Sequence, residues 1–202
     1  MNKKQTVEKN DLVCSLLTNY NIPQRDLYKI KMIVHNGMND NNTIRVWTDG
    51  SYNLNSKTKS KGGIGFVIDF NGEKIHFGKK VATNSSTDTE IMSLAVALSY
   101  ILDTFDYIDS NNIIKIYYDA SIICEKLPDV IWGKQMRSPY TNLKSALKRY
   151  KKRNIKILFE HVKAHDTNTN NNIADAISKY YSEIDLNKSQ QRIIKQLKLK
   201  KE

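Results

Sequence analysis

The sequence predicts an α/β fold: a mixed five-stranded sheet, three antiparallel strands and then parallel ones, flanked by helices. Two patterns carry this expectation. Early in the chain three strand-like runs follow one another, and Asn71-Gly72 joins the second to the third. That dipeptide favours a two-residue type I′ hairpin. Further on, strand-like and helix-like runs alternate, as they do where crossover helices link parallel strands. The order along the chain is β-β-β-α-β-α-α-β-α.

Each element has its own signal. In TIRVWTD, Ile44, Val46 and Thr48 alternate with Arg45, Trp47 and Asp49, the period-two pattern of a strand beginning at Thr43. Gly50 is expected to end it, and residues 52–61 read as a polar loop. GGIGFVIDF and EKIHFGKKV form the hairpin. The polar stretch ATNSSTD leads into a helix over roughly 88–105, where Ile91, Leu94, Leu98 and Ile101 fall near the 3.6 period. IIKIYYD is a β-branched and aromatic strand, and ASIICEKL a short helix after it. SPYTNLKSALKRYKKR reads as a helix with Ser138 as N-cap, Pro139 at its first position, and Leu143, Leu147 and Tyr150 on its apolar face. NIKILFEHVKAH is the last strand and NNIADAISKYYSEI the last amphipathic helix. The basic tail NKSQQRIIKQLKLKKE is suited to extend it.

At 202 residues with 40% apolar content, the chain suits one domain with an extension. Three regions are expected: a helical N-terminal extension of unassigned role (1–42), a main domain (43–183) and a basic tail (184–202). In the first, DLVCSLLTNY and RDLYKIKMIVH have helical spacing on either side of Asn21 and Pro23. No apolar run approaches the ~20 residues that span a bilayer. MNKKQTVEKNDLV lacks the apolar core of a secretory signal. Cys14 and Cys124 form no metal or disulfide spacing, and a reducing, intracellular compartment, cytoplasm or nucleus, is the simplest reading. The net charge of +11 favours a polyanionic partner, nucleic acid first. Solubility or genome bias is the alternative, since Lys, Asn and Ile are abundant. A monomer is the simpler expectation.

Four acids sit at the ends of strand-like runs or near the starts of helix-like ones: Asp49, Glu90, Asp119 and Asp175. Taken singly, three of them have structural readings. Glu90 completes a capping box, Thr87-x-x-Glu90. Asp119 is placed to cap ASIICEKL. Asp175 lies where the helix dipole favours an acid. Asp49 is harder to explain this way, because Asp is disfavoured in strands. Gathered by one sheet, the four form a cluster that cannot stay ionised without cations, and hard oxygen ligands select Mg²⁺ or Mn²⁺. Two such ions roughly 3.5–4 Å apart supply what phosphodiester hydrolysis needs: an activated water and charge stabilisation on phosphate and leaving oxygen. His165 closes the strand ILFEHVKAH before a polar loop, where it can move protons or help product leave. His161, inside that strand, is assigned no role.

In this order the motifs resemble type I ribonuclease H, of the RNase H-like superfamily. They are Thr48-Asp49-Gly50-Ser51, Glu90, Asp119, Val162-Lys163-x-His165 and Asn171-x-x-x-Asp175, across about residues 43–183. The resemblance implies a ribonuclease H-like fold. It implies endonucleolytic cutting of the RNA strand of an RNA–DNA hybrid, leaving 3′-hydroxyl and 5′-phosphate ends. Two Mg²⁺ ions, or Mn²⁺, are implied as cofactors. Asp49 would bridge both metals, Glu90 and Asp119 would share the site that positions the water, and Asp175 would complete the coordination of the second metal. His165 would assist proton transfer or product release. Gly50, Ser51, Asn84, Ser86, Thr87, Ser121, Trp132, Lys148, Lys151 and Asn171 are the expected nucleic-acid contacts.

The sequence departs from the family in places. Ser86 and Thr87 stand where polar amides usually precede the Glu, and Ser121 where Gln often follows the third acid. Hydroxyls have shorter reach and fewer donors. A nuclease of the same fold acting on another nucleic acid, such as a DNA junction, is therefore the first alternative. A catalytically silent binding module is the second. Trp132 with Lys134, Arg137, Lys144, Lys148, Arg149, Lys151, Lys152 and Arg153 is placed like the basic handle of some relatives, its alternative being a solvated helix face.

Overall fold

In the computed structural model, the described residues are 42–56, 60–120, 122–131, 137–162 and 169–199. Residues 1–41 of the N-terminal extension, Ser121, Trp132, Lys134, Lys163 and His165 lie outside them. The elements are β1 (Thr43–Tyr52), β2 (Gly62–Phe70), β3 (Glu73–Val81), α1 (Ser86–Thr104), β4 (Ile113–Tyr118) and α2 (Ile122–Ile131), then α3 (Ser138–Lys152), β5 (Lys156–His161), α4 (Thr169–Tyr181) and α5 (Lys188–Leu197). The five strands make one sheet in the order β3-β2-β1-β4-β5. β1–β2 and β2–β3 are antiparallel, β1–β4 and β4–β5 parallel, as the sequence predicts. Asn71 (φ 54°) and Gly72 (φ 83°) both adopt the positive φ that a type I′ turn requires.

The central strand is covered on both faces. Ile44 and Val46 lie in the main core with Leu94, Leu98 and Ile101 of α1 and Leu143, Leu147 and Tyr150 of α3. On the opposite face Trp47 and Val67 pack with Ala174 of α4. α4 comes very close to β2 because the strand carries glycines there. A Cβ on Gly65 would lie 2.4 Å from the Ala174 carbonyl oxygen, and one on Gly63 2.1 Å from that of Ser178.

Four sequence expectations are corrected. β1 does not stop at Gly50 but continues to Tyr52, its ladder with β2 including Gly50–Ile64 and Ser51–Gly63 pairs. The cap of α1 is Ser85, whose side chain accepts the Asp88 N–H at 3.1 Å, so Thr87 lies in the first turn and Glu90 completes no capping box. The N-cap of α3 is Arg137 rather than Ser138, with Pro139 in the first turn. The basic tail does not extend α4. Glu183 turns the chain at φ 61°, and a new helix starts at Asn187 with its own capping box.

Two arginines of the expected basic handle pair with acids of α1. Arg137 pairs with buried Asp88 at 2.9 Å, and Arg149 with Asp103 at 2.5 Å. Among the described residues no helix is long and apolar enough to cross a membrane.

Candidate active site

The sheet order places two acids side by side. Parallel β1 and β4 pair Trp47 with Tyr117, and Asp49 and Asp119 each lie two residues further along. From β1 the chain proceeds to β2 and β3 on one side, and β4 and β5 lie on the other. The crevice beyond the C-terminal ends of β1 and β4 is thus a topological switch point, where open α/β sheets bind ligands.

Glu90 reaches this point from the second turn of α1. It does so because Gly50 lets helix and strand touch: a Cβ there would lie 2.5 Å from the Glu90 nitrogen. Asp49, Glu90 and Asp119 each bring one carboxylate oxygen within 4.8 Å of the others.

Burial and proximity set the electrostatics. Asp49 is pushed from 3.8 up to about 7, first by burial, and further by the charges of Asp119 and Asp175. A hydrogen bond from Ser178 and the charge of Lys179 oppose the rise. Glu90 is held well above the usual carboxylate range by burial, then by Asp49 and Asp119, against a bond from the Gly50 N–H. Its Oε2 is buried and has no hydrogen-bond partner among the described residues. Three converging carboxylates, two of them reluctant to ionise and one with an orphaned buried oxygen, fit a hard divalent cation.

Asp175 stands outside this trio. Its Oδ1 pairs with Lys179 Nζ and its Oδ2 accepts from Gln190 Nε2, both at 2.7 Å. It is near enough for its charge to raise Asp49 and Glu90.

Ser51 and Asn171, expected at the nucleic-acid surface, are buried. Ser51 Oγ lies 2.8 Å from Ser178 Oγ. Asn171 Nδ2 donates to Asp119 Oδ2 at 3.1 Å. Asn171 thus holds an acid directly, and Ser51 contacts the serine that donates to Asp49. Gly50 is likewise buried beneath α1. Asn84 and Ser86 are exposed and Thr87 half-buried at the start of α1, and Lys148 and Lys151 are exposed on α3.

Sequence reasoning missed three supporting residues. Fully buried Ser178 donates to Asp49 Oδ2 and approaches the Asp175 carbonyl at 2.9 Å. Gln190 reaches Asp175 from the tail helix. His161 Nε2 lies 3.0 Å from the Asp119 carbonyl oxygen. A carbonyl only accepts, so that nitrogen carries the proton. The one sequence signal was the alternation placing His161 on the β5 face that carries Phe159.

A mixed sheet in this order, with acids converging at the ends of β1 and β4, defines a nuclease of the RNase H type. The RNase H family profile matches residues 8–183, and the chain belongs to that family. Solved structures agree on the fold. LC11-RNase H1, isolated from compost and solved with an RNA/DNA hybrid, aligns at 16% identity with a TM-score of 0.51, over 68% of this chain and 94% of its own. LC9-RNase H1, described as a type 1 enzyme with the type 2 active-site motif, aligns at 11% identity and TM-score 0.54, over 75% and 80%. The foamy viral protease-reverse transcriptase, also solved with an RNA/DNA hybrid, aligns at 15% identity and TM-score 0.54, over 80% of this chain and 23% of the viral one. No curated protein matches the sequence.

Proposed function

We propose that this chain is a metal-dependent endonuclease that hydrolyses the RNA strand of RNA–DNA hybrids, leaving 3′-hydroxyl and 5′-phosphate ends. The observation that carries this reading is the convergence of the Asp49, Glu90 and Asp119 carboxylates within 4.8 Å. Two proteins of the same fold solved with RNA/DNA hybrids support the substrate class. Asp49, Glu90, Asp119 and Asp175 would hold two Mg²⁺ ions, or Mn²⁺. When bound, the ions would supply an activated water and offset charge on the phosphate and leaving oxygen.

The chain's own groups do the positioning. Ser178 orients Asp49, the Gly50 N–H orients Glu90, and Asn171 and His161 hold the carboxylate and the carbonyl of Asp119. Asn84, Ser86 and Thr87 at the start of α1 would contact the sugar–phosphate chain, a role also assigned from the sequence to Ser121. Lys148 and Lys151, exposed on α3, would grip the duplex, a role also assigned from the sequence to Trp132. His165 moves protons or helps product leave.

A second reading, an RNase H-fold nuclease acting on another duplex or a DNA junction, draws on the hydroxyls at Ser86, Thr87 and Ser121 in place of longer amides. The foamy viral enzyme has also been solved with double-stranded DNA. Labelled hybrid, duplex RNA, duplex DNA and a four-way junction, each with Mg²⁺ and with chelator, separate these readings. Cutting of the hybrid alone, lost on chelation, is expected. Cutting of DNA or the junction would establish the second reading, and binding without cutting would mean a silent module.

The same binding assay tests α3. Neutralising Lys148 and Lys151 together should flatten the slope of log K against log salt by roughly 2. An unchanged slope would remove α3 from the interface.

A further inference from the structure

The acid that stands apart is held by a helix beyond the family match, which ends at residue 183. α5 begins with a reciprocal capping box: Asn187 Oδ1 accepts the Gln190 N–H at 3.0 Å, and Gln190 Oε1 accepts the Asn187 N–H at 2.9 Å. The cap uses only the oxygen of the Gln190 side-chain amide. Its NH₂ group is left for a second bond, and Gln190 is only 7% exposed. That bond goes to Asp175 Oδ2 at 2.7 Å. α5 cannot easily swing away, because Ile194 packs against Ala176 and Ile177 of α4.

We infer that Gln190 is a positioning residue of the active site: the N-terminal cap of α5 fixes the carboxylate of Asp175. This rests on the proposed reading of Asp175 as a metal ligand. The two donors on Asp175 have different jobs. The ammonium of Lys179 offsets the acid's charge and so competes with any cation. The Gln190 amide is neutral and directs the carboxylate without offsetting it. A carboxylate offers about four lone-pair directions, so one amide bond leaves room for a metal. Partners of this kind behind a ligand commonly set metal affinity or activity within 10–100-fold.

Gln190→Met keeps the side-chain length and removes the donor. Mn²⁺ binding to the full chain, followed by calorimetry, should weaken about tenfold. Hybrid cleavage should need about tenfold more Mg²⁺ for half-saturation, with kcat recovering at high Mg²⁺. In an Asp175→Asn background the same substitution should change Mn²⁺ binding no further. Asn187→Ala loses only the bond to the Gln190 N–H and keeps the backbone N–H that holds Gln190 Oε1, so it should lower the melting temperature without shifting Mn²⁺ affinity. Gln190→Asn, which retracts the donor by one methylene, covers the case of an unstable Met variant and should weaken Mn²⁺ in the same direction. Unchanged Mn²⁺ affinity in both Gln190 variants, or equal weakening with and without Asp175, would overturn the inference. Absence of Mn²⁺ binding to the unaltered protein would instead overturn the proposed function.

Discussion

Asp49→Asn should abolish metal-dependent cleavage and, at the same time, make the metal-free protein more stable near neutral pH. The carboxyl of Asp49 titrates at 3.8 in an ordinary setting and at about 7 in the fold, chiefly because it is buried. Between these values the native state keeps a proton that the unfolded chain releases. Stability contributed here is therefore fully present below 3.8, falls as pH rises towards 7, and stays lost above. Three units at about 1.4 kcal/mol each give a loss of about 4 kcal/mol. Glu90, raised by the same causes, acts in the same direction. Asparagine fills the same space without ionising. In chelator, the variant should melt above the parent protein at pH 7.5 and match it near pH 4, while Mg²⁺ should stabilise the parent far more than the variant. Losing several kcal/mol of metal-borne charge stabilisation lowers the cleavage rate by about a thousandfold or more. A variant that cleaves normally, or that melts below the parent in chelator at every pH, would show that Asp49 is not the strained centre of a metal site.

That centre was legible because its residues announce their chemistry. Asp49 interrupts an apolar strand, where an acid is disfavoured, and Asp119 directly follows another. Their partners carry no such mark. Ser178 meets Asp49 across 129 positions of sequence, and only the packing of α4 on the glycines of β2 brings them together. The same packing hid the second face of β1. Arg45, Trp47 and Asp49 alternate with apolar residues as a solvent-facing row would, yet α4 covers Trp47 and Asp49. The start of α1 was misread for another reason. SSTDTE offers Ser85, Ser86 and Thr87 in succession as caps, all locally adequate. The choice of Ser85 leaves Glu90 uncommitted to the helix end and available to the site. The hairpin was legible because Asn71-Gly72 acts through backbone φ alone, with no distant partner. The tail helix was read as a continuation of α4 because the left-handed turn at Glu183 has no glycine to signal it.

Gly50→Ala is expected to disable the enzyme while leaving all its acids in place. A Cβ at this position would meet the Glu90 nitrogen and the Thr89 carbonyl carbon at 2.5 Å, and the Thr89 oxygen at 2.7 Å. All three are backbone atoms of α1, so no side-chain rotation relieves the clash. The helix must lift from the strand, and overpacking of this kind costs about 1–3 kcal/mol. The displacement falls on the residue whose carboxylate must converge with Asp49 and Asp119. It also pulls Glu90 from the Gly50 N–H that steadies its ionised form. A misplacement of about 1 Å in such a constellation lowers turnover by about a hundredfold. Gly72→Ala is the matched control. Its Cβ would meet nothing within 4 Å, and only its φ of +83° opposes alanine. It should cost about 1–2 kcal/mol of stability and nothing in turnover. Urea unfolding and kcat at saturating Mg²⁺ separate the two. If both variants lose similar stability and both keep their turnover, the close approach of β1 and α1 does not set the position of Glu90.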